Sequence, residues 1–452
     1  MTSNSVGISW VNNVAEASAY SWLENLAQFN SSGHCPQTGG NTNQKNVTAY
    51  LNANNVLPWV GMRRCNITKS GVITNFQNNS ATGCNYTDTP TTPATQVGWT
   101  LPGYYYWTYH KQTTLDANTY RWFISPDGTG TINGMAGGSM PSDSPYYGEV
   151  FTPTWKYHPA FIRNTVSKPY LVLGAYEGHT TGSGGSQILN STAEVLPTTN
   201  LLCAGARTYA QNIGSGLSYN GWGQQDFLSR CAVQLAYLIE CGGFNSRLLI
   251  GTGIGNLSSE THRGTGVRTG WTSTLAAANG GTNLGNLSGL GVAFTDSTID
   301  GLYVADTAVS GNQAVSYRGL ENPWGNIEEW LDGLNVTNYI PWVADNSFAV
   351  DTFTAPYTST GFTLPAGGWA TDIAVSPTFD YTFIPSAASG GGYTVKLAYY
   401  YSNPGASTNF LGTTSWSWNS GMNNTDMMFL HFVYTSANYL GSVGGRIMYI
   451  PQ

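Results

Sequence analysis

The residues best suited to chemistry lie between Tyr317 and Gly333, where the sequence reads Y-R-G-L-E-N-P-W-G-N-I-E-E-W-L-D-G. Charged side chains make up only 9% of the chain, yet this run concentrates several of them. Carboxylates at this density could bind a metal ion or exchange a proton, and beside an arginine they could form buried ion pairs. We favour ion pairs, which would make the run a rigid part of the fold. The charged residues are Arg318, Glu321, Glu328, Glu329 and Asp332.

The other residues of the run predict how these charges are held. Pro323 keeps Asn322 out of the helical region of the backbone, and Trp324 and Trp330 supply large surfaces for burial. Three glycines fit tight turns or close approaches of the backbone. These glycines are Gly319, Gly325 and Gly333.

Local partners are expected for the charges of this run. Three acidic side chains are predicted to bind Arg318 or backbone N–H groups. Asn326 is placed to cap a short helix over Ile327 to Leu331. The three acidic residues are Glu321, Glu329 and Asp332.

Elsewhere the hydrophobic spacing predicts few helices. Apolar residues recur at helical intervals in Ala19 to Phe29 and in Gln224 to Glu240, and Gly242 and Gly243 would end the second helix. Short β-rich pieces lie between clusters of Gly, Pro, Asn and Ser. The predicted fold class is therefore α+β, loop-rich, with small antiparallel sheets. The predicted strands are Tyr104 to Tyr109, Tyr120 to Ile124, Tyr170 to Tyr176, Tyr393 to Tyr401 and Arg446 to Ile450.

Composition narrows the classes of partner. The chain has 17 basic and 24 acidic residues, and because no Lys/Arg run occurs we expect no nucleic-acid partner. No apolar run approaches the roughly 20 residues of a membrane span, and the sequence M-T-S-N-S-V-G-I-S-W lacks the features of a signal peptide. Tyr, Trp, Asn, Ser and Gly are abundant, and these residues are typical of surfaces that bind other molecules.

Two short motifs carry a resemblance to a known family. G-N-I-E-E-W-L-D-G at Gly325 to Gly333 resembles the G-N-V-W-E-W motif of formylglycine-generating-enzyme-like domains, which have a C-type-lectin fold. G-G-R-I-M-Y-I at Gly444 to Ile450 contains Arg446 and resembles the closing strand of the same domains. Glu328 stands where that motif has Trp, a departure from the enzymes.

A second resemblance is closer and extends from about Tyr104 to the C-terminus. Arg318 to Gly333 resembles the R-G-x-E-N-x-W-G-N and W-x-D-G pattern of phage structural proteins and of the variable proteins of diversity-generating retroelements. A Pro-rich passage, Pro141 to Pro159, separates a first part of the chain from a second. We expect residues 1–150 to form a β-rich N-terminal region for attachment or oligomerisation, and for residues 151–452 the resemblance implies a C-type-lectin-like ligand-binding domain. Further matching segments are Tyr120 to Pro126, His158 to Ile162, Leu173 to Gly178, Leu235 to Glu240 and Asn245 to Gly251.

The residues used by the enzymes of this superfamily are missing. Those enzymes use a pair of cysteines in the C-terminal part of the domain, whereas no cysteine follows Cys241 here. Their iron-dependent relatives use a His-His-Glu-like set, but His431 is the only histidine after His262. No C-x-x-C pair occurs among the six cysteines, so a zinc ribbon is not expected. We therefore expect no catalytic residue, no metal and no cofactor.

Binding is the alternative that the resemblance implies. In retroelement variable proteins a C-terminal segment displays side chains on a fixed backbone, and the matching segment here is Gly412 to Gly445. The two tryptophans of this segment fit display and the core equally well, whereas Phe429, Phe432 and Val433 fit the core. The candidate ligand-binding residues are Trp416, Trp418, Asn419, Asn423, Asn424, Asp426, Met427, His431, Tyr434, Asn438 and Tyr439.

These expectations predict a virion or tail-associated receptor-binding protein on the virion or extracellular surface. Its partners would be a host cell-surface protein or glycan and other virion proteins, in a homo-oligomer such as a trimer. Two alternatives stay open. One is a structural virion component, such as a decoration or turret protein, and the other is a retroelement-diversified ligand-binding protein of a prokaryotic surface.

Overall fold

The computed structural model describes most of the 452 residues. The described residues are 5–12, 16–32, 35, 42–76, 87–90, 94–111, 119–133, 144, 146–255, 269–270, 272, 290–293, 313–365, 367–389, 399–402, 409–418 and 425–452.

Helices are few in the described part of the chain. Five short 3₁₀ turns accompany the α-helices, at Ala27–Phe29, Trp59–Gly61, Pro159–Phe161, Gly184–Ser186 and Asn212–Gly214. Within the described residues no helix has the length and apolar character needed to cross a membrane. The α-helices are α1 (Glu16–Ala19), α2 (Thr42–Ala53), α3 (Cys203–Gln211), α4 (Phe227–Cys241) and α5 (Ser246–Leu249).

Strands are many and short. The first fifteen are β1 (Val6–Val11), β2 (Tyr20–Glu24), β3 (Arg64–Thr68), β4 (Ile73–Phe76), β5 (Thr95–Pro102), β6 (Tyr105–Lys111), β7 (Thr119–Ser125), β8 (Ile132–Asn133), β9 (Val150–Phe151), β10 (Lys156–Tyr157), β11 (Ile162–Arg163), β12 (Val166–Ser167), β13 (Tyr170–Gly174), β14 (His179–Thr181) and β15 (Ile188–Asn190). The others are β16 (Trp222–Gln224), β17 (Leu290–Ala293), β18 (Gln313–Tyr317), β19 (Leu320–Glu321), β20 (Glu328–Thr337), β21 (Ile340–Val343), β22 (Thr358–Ser359), β23 (Gly368–Ile373), β24 (Pro385–Ser389), β25 (Tyr399–Ser402), β26 (Phe410–Thr414), β27 (Leu430–Tyr434), β28 (Val443–Gly444) and β29 (Ile447–Tyr449).

Three sheets contain most of these strands. A five-stranded sheet has the order β10-β6-β7-β1-β2, and a six-stranded sheet has the order β16-β29-β13-β5-β3-β4. The largest has the order β22-β21-β20-β26-β27-β25-β23-β24, with β28 beside β20. Strand pairing in the described part is antiparallel except for β20 with β28 and β25 with β27. The expectation of small antiparallel sheets, few helices and many loops is confirmed.

Residues on the two sides of position 150 share sheets and a core. β5 pairs with β13 from Tyr170↔Pro102 to Gly174↔Gly98, and β10 pairs with β6. One continuous hydrophobic core includes residues from Val6 to Met448. The boundary placed at residue 150 from the sequence therefore passes through two sheets.

Helix α4 lies at the centre of this core, and its prediction is confirmed. Asp226 caps its N-terminus, because the Asp226 Oδ1 accepts a hydrogen bond from the Ser229 N–H at 2.8 Å. Gly242 ends it in the left-handed conformation, with φ of 82°. All fifteen residues of α4 are buried, as expected of a helix surrounded by packing partners. It packs against α2, β1, β7 and β20.

Two other predicted helices are wrong. Tyr20–Glu24, inside the predicted helix Ala19 to Phe29, is strand β2, because its backbone pairs with β1 from Val6↔Glu24 to Trp10↔Tyr20. Ile327 to Leu331 mostly belongs to β20, which is buried along nearly its whole length and pairs with β21 and β26. In both places pairing with a distant strand overrides a weak local helical pattern.

The strand predictions agree with the structure where residues are described. β6, β7, β13 and β29 lie on the predicted stretches, and β25 covers the end of the stretch from Tyr393. The rest of that stretch lies outside the described residues. Helices α2 and α3 were not predicted, and their apolar faces are narrow, with Val47 and Leu51 buried in α2 and Ala206 and Ala210 buried in α3.

Candidate functional site

The run from Tyr317 to Gly333 is buried and its charges have partners far along the chain. Arg318 makes a two-bonded pair with Glu240 of α4, with Nη2–Oε1 at 2.6 Å and Nε–Oε2 at 2.7 Å. Its Nη1 also donates to the Trp59 carbonyl and to Asn52 Oδ1, both at 3.0 Å. Burial acts to lower the pKa of Arg318, but the Glu240 carboxylate outweighs it and raises that pKa. Of the two kinds of partner expected for the acidic residues of the run, Arg318 or backbone N–H groups, Arg318 is therefore not the one that Glu321 uses, and Glu321 binds backbone N–H groups.

Glu321 instead binds backbone and hydroxyl donors of another segment. Its Oε1 accepts from the Gly270 N–H and its Oε2 from the Thr272 N–H, both at 2.7 Å. The Thr272 hydroxyl donates to the same Oε2 at 2.5 Å. Burial raises the pKa of Glu321, although Arg64 and these donors oppose it. Glu321 therefore fixes a distant loop and is fully enclosed, which leaves it no open face for a calcium ion or a sugar.

Glu329 joins the run to the last strand region of the chain. Arg446 Nε donates to Glu329 Oε1 at 2.9 Å, and Arg446 Nη1 donates to the Gly174 carbonyl at 2.9 Å. Arg446 Nη2 donates to the Glu321 carbonyl at 2.9 Å. The buried Arg446 guanidinium thus connects β20 and β13 to the Arg446 region. Because this donor is charged, its hydrogen bonds are stronger than hydrogen bonds between neutral groups.

The turn around Gly325 requires its glycine. Gly325 has φ of 85°, and a Cβ there would lie 2.4 Å from the Ile254 nitrogen. The next residue, Asn326, has φ of 68° and donates from Nδ2 to Glu177 Oε2 at 2.5 Å. No helix follows Asn326, so its predicted capping role is wrong. Burial and then the Glu329 carboxylate raise the pKa of Glu177 well above its usual range.

The remaining residues of the run also occupy tight or enclosed positions. Asn322 is buried with φ of 44°, and Gly319 and Gly333 have φ of 95° and 74°. The Trp324 indole donates to the Gly251 carbonyl at 3.0 Å, and the Trp330 indole donates to the Leu201 carbonyl at 2.8 Å.

The predicted C-terminal binding segment rests on this run. Strand β26 pairs with β20, the Trp418 N–H donates to the Asn326 carbonyl at 2.8 Å, and the Ser415 hydroxyl donates to the Gly325 carbonyl at 3.0 Å. The exposed part of the segment is therefore carried on a fully buried base.

Five of the predicted ligand-binding side chains are buried in that base. The expectation of an exposed position is therefore wrong for Asp426, Met427 and His431. The two tryptophans, which fitted display and the core equally well, are buried. Packing explains their positions. The Trp416 ring stacks edge-on to Phe429, with centroids 4.5 Å apart, and the Met427 carbonyl accepts from Arg230 and Gln234 of α4. The five are Trp416, Trp418, Asp426, Met427 and His431.

His431 and Tyr434 meet the buried carboxylate of Glu328. The His431 Nδ1 lies 3.0 Å from Glu328 Oε2, to which the Thr413 hydroxyl also donates at 3.0 Å. The Tyr434 hydroxyl donates to Glu328 Oε1 at 3.2 Å, and burial together with this carboxylate raises the pKa of Tyr434. Glu328, which replaces the Trp of the enzyme motif, thus anchors the base of the C-terminal segment.

An exposed part of this segment is the turn from Thr435 to Leu440. Tyr439 projects from it with 66% of its surface accessible. The turn itself is fixed, because Asn438 Oδ1 accepts from the Thr435 N–H at 2.6 Å and the Ser436 hydroxyl donates to Asp351. The other three candidate residues, Asn419, Asn423 and Asn424, lie outside the described residues.

The cysteines of the described residues, Cys35, Cys65, Cys203, Cys231 and Cys241, are buried. Burial raises the pKa of the Cys65 thiol to about 12 and raises the pKa of the Cys35, Cys203 and Cys231 thiols. A thiol with a raised pKa is a weak nucleophile at neutral pH. Within the described part of the chain no group of three or more His, Cys, Asp or Glu side chains is arranged to hold a metal ion.

Sequence reasoning missed a cavity of about 470 Å³ that is lined by both charged and aromatic side chains. It lies where the β11–β12 hairpin, the end of α3, the 219–223 loop and residues 345–348 meet. Two buried ion pairs border it, Arg163–Asp226 and Arg207–Asp332. Asp332, Met448 and Ile450 belong to motifs noted in the sequence, but the lining residues as a whole are scattered from position 163 to position 450. The cluster N-G-W-G at Asn220–Gly223 is a further local signal at this place.

Comparisons with known proteins do not assign the chain to a group. A scan against protein-family models gave no match, and a search of curated proteins gave no significant relative.

Proposed function

We propose that this chain is a virion or tail-associated receptor-binding protein that adheres to the host cell surface. In this proposal the chain has a C-type-lectin-like fold, acts without catalysis, and uses an exposed part of its C-terminal segment for adhesion. The partner is a host cell-surface protein or glycan, and other virion proteins, together with further copies of the chain, hold it on the particle.

The observation that carries the proposal is the exposed Tyr439 on a turn of fixed backbone. An aromatic side chain has few rotatable bonds, so on a backbone that is already fixed it loses little conformational entropy on binding, which favours affinity. Hydrogen bonds at Asn438 and Ser436 fix the turn. The strand that precedes the turn, β27, is held by its pairing with β26. This arrangement matches what the resemblance to retroelement variable proteins implies, namely side chains displayed on a constant scaffold.

The buried ion pairs and hydrogen bonds of the run from Tyr317 to Gly333 support the part of the proposal that concerns a constant scaffold. Its charges are enclosed and bonded to distant segments, so they stabilise the scaffold under the C-terminal segment. The joining of Arg446 to Glu329 supports the C-type-lectin-like assignment, because the two motifs that carry the resemblance contact each other.

The experiment is adsorption of virions that carry Tyr439→Ala to their host cells. We expect adsorption to fall about tenfold or more, since a central exposed aromatic residue commonly contributes over 1.4 kcal/mol. Tyr147→Ala is the matched control, because Tyr147 is also exposed and lies outside the C-terminal segment. Intact Tyr439→Ala virions that adsorb as well as the parent would overturn the proposal for this surface.

A further inference from the structure

The cavity that Lys168 lines contains charged side chains that form no ion pair within the described protein. In the two ion pairs at this cavity, Arg163–Asp226 and Arg207–Asp332, the partners neutralise each other. Lys168 is also buried, with 8% of its surface accessible, and no described carboxylate lies within 4.0 Å of its ammonium group. Asp345 lines the same cavity and has no cationic partner among the described residues. Asp345 Oδ1 accepts a hydrogen bond from Asn346 Nδ2 at 2.5 Å, which leaves most of the hydrogen-bonding capacity of this carboxylate unused. The cavity therefore holds one cation and one carboxylate that have no ion-pair partner among the described residues.

These two groups keep hydrogen-bonding capacity that a ligand in the cavity could use. Arg163 adds to this capacity, because its Nη2 has no hydrogen-bond partner in the described part of the chain. A ligand with hydroxyl groups would satisfy these side chains, since each hydroxyl both donates and accepts a hydrogen bond.

Aromatic rings stand beside the polar groups. Tyr219, Trp222 and Phe348 line the cavity. The Tyr219 hydroxyl donates to the Ile450 carbonyl at 2.8 Å and the Trp222 indole donates to the Lys69 carbonyl at 2.7 Å, so both rings are held in place. Fixed rings offer flat apolar faces for the C–H groups of a sugar ring, and the volume lies within the range of small-molecule sites.

The balance of charge indicates which ligand fits. The lining has three cationic residues, Arg163, Lys168 and Arg207, and two anionic ones, Asp332 and Asp345, with Asp226 directly behind Arg163. A phosphate or polyanionic ligand would require a clear excess of positive charge. A neutral ligand with alternating donors and acceptors requires no such excess.

We propose that this cavity binds a neutral saccharide. Lys168 donates to its hydroxyl groups, Asp345 accepts from them, and Tyr219 and Phe348 pack against its C–H face. This site lies on different residues from the Tyr439 turn, so it goes beyond the adhesion proposed above and stands without it.

The test is titration of the purified chain with neutral oligosaccharides built from glucose, galactose, mannose and N-acetylglucosamine, and with sialylated counterparts. At least one neutral oligosaccharide should bind, and Lys168→Met and Asp345→Asn should each raise its Kd about 10- to 100-fold, as expected for hydrogen bonds to charged groups. Lys45→Met and Glu149→Gln, which change exposed charges outside the cavity, should leave the Kd unchanged.

Three outcomes would overturn the site. They are no binding of any neutral oligosaccharide, binding of sialylated ones alone, or neutral binding that both cavity variants leave intact. Both variants should fold, because Lys168→Met removes an ammonium group without a described ion-pair partner and Asp345→Asn changes a half-buried group. Thermal unfolding of each variant checks that a loss of binding is not a loss of folding. Tyr439→Ala should leave the saccharide Kd unchanged, so failure of the adhesion proposal and failure of this site give different results.

Discussion

In the run from Tyr317 to Gly333, buried charges meet partners from other parts of the chain, whereas in the cavity beside Lys168 a cation and an anion have no ion-pair partner among the described residues. Arg318 and Glu240 are joined by two hydrogen bonds, and Arg446 binds one carboxylate oxygen of Glu329. Lys168 and Asp345 face a cavity instead. Local density of charge in the sequence thus marks the scaffold, and unpaired charge in the structure marks the place for a ligand.

The largest effect should come from breaking the Arg318–Glu240 pair. Arg318→Met leaves the Glu240 carboxylate buried without its cation, and we expect it to lower the free energy of unfolding by about 3–5 kcal/mol. Urea denaturation measures this loss. Adding Glu240→Gln to Arg318→Met should restore part of it, because the uncompensated charge is then gone.

A matched ion pair at the surface provides the control for that variant. Lys156 pairs with Asp380 at 2.6 Å, but its side chain is 44% exposed. Lys156→Met should cost about 1 kcal/mol or less. If Arg318→Met costs no more than Lys156→Met, the run from Tyr317 to Gly333 is not the scaffold that its burial indicates.

A second variant separates the base of the C-terminal segment from its exposed turn. Trp416→Ala removes a ring that packs on Phe429 and His431, and we expect a loss of about 3 kcal/mol in unfolding free energy. Tyr439→Ala, at the exposed turn, should change stability by less than about 0.5 kcal/mol. Thermal unfolding of both proteins tests the difference, and equal losses would show that the turn is part of the core.

A further effect should come from Glu177, and it depends on pH. Because the folded pKa of Glu177 is raised, the folded state binds its proton more tightly than the unfolded chain does. Its contribution to stability is therefore complete below the ordinary pKa of about 4.5 and decreases as the pH rises from there toward the folded pKa.

Glu177→Gln should remove that dependence. We expect a flatter profile of unfolding free energy between about pH 4.5 and 7, because the proton that Glu177 binds more tightly in the folded state is no longer involved. Denaturant titrations at several pH values measure the slope. The exposed Glu149→Gln is the control, and an unchanged slope in Glu177→Gln would mean that the charge on Glu177 is accommodated without cost.

The local sequence by itself determined one helix, several strands and the positions of tight turns. Helix α4 is set by the apolar residues between Asp226 and Gly242, and β6, β7, β13 and β29 are set by their β-rich composition and flanking turns. The special backbone of Gly319, Gly325 and Gly333 was also predictable, because only glycine adopts these positive φ values without strain.

Tertiary structure alone decided which residues meet. Arg318 binds Glu240 instead of an acid of its own run, and β2 and β20 are strands because distant strands pair with them. The cavity joins residues nearly 300 positions apart, from Arg163 to Ile450, so no local pattern could show it. The physical reason is that propensity and capping act over a few residues, whereas ion pairs, strand pairing and cavities depend on the path of the whole chain.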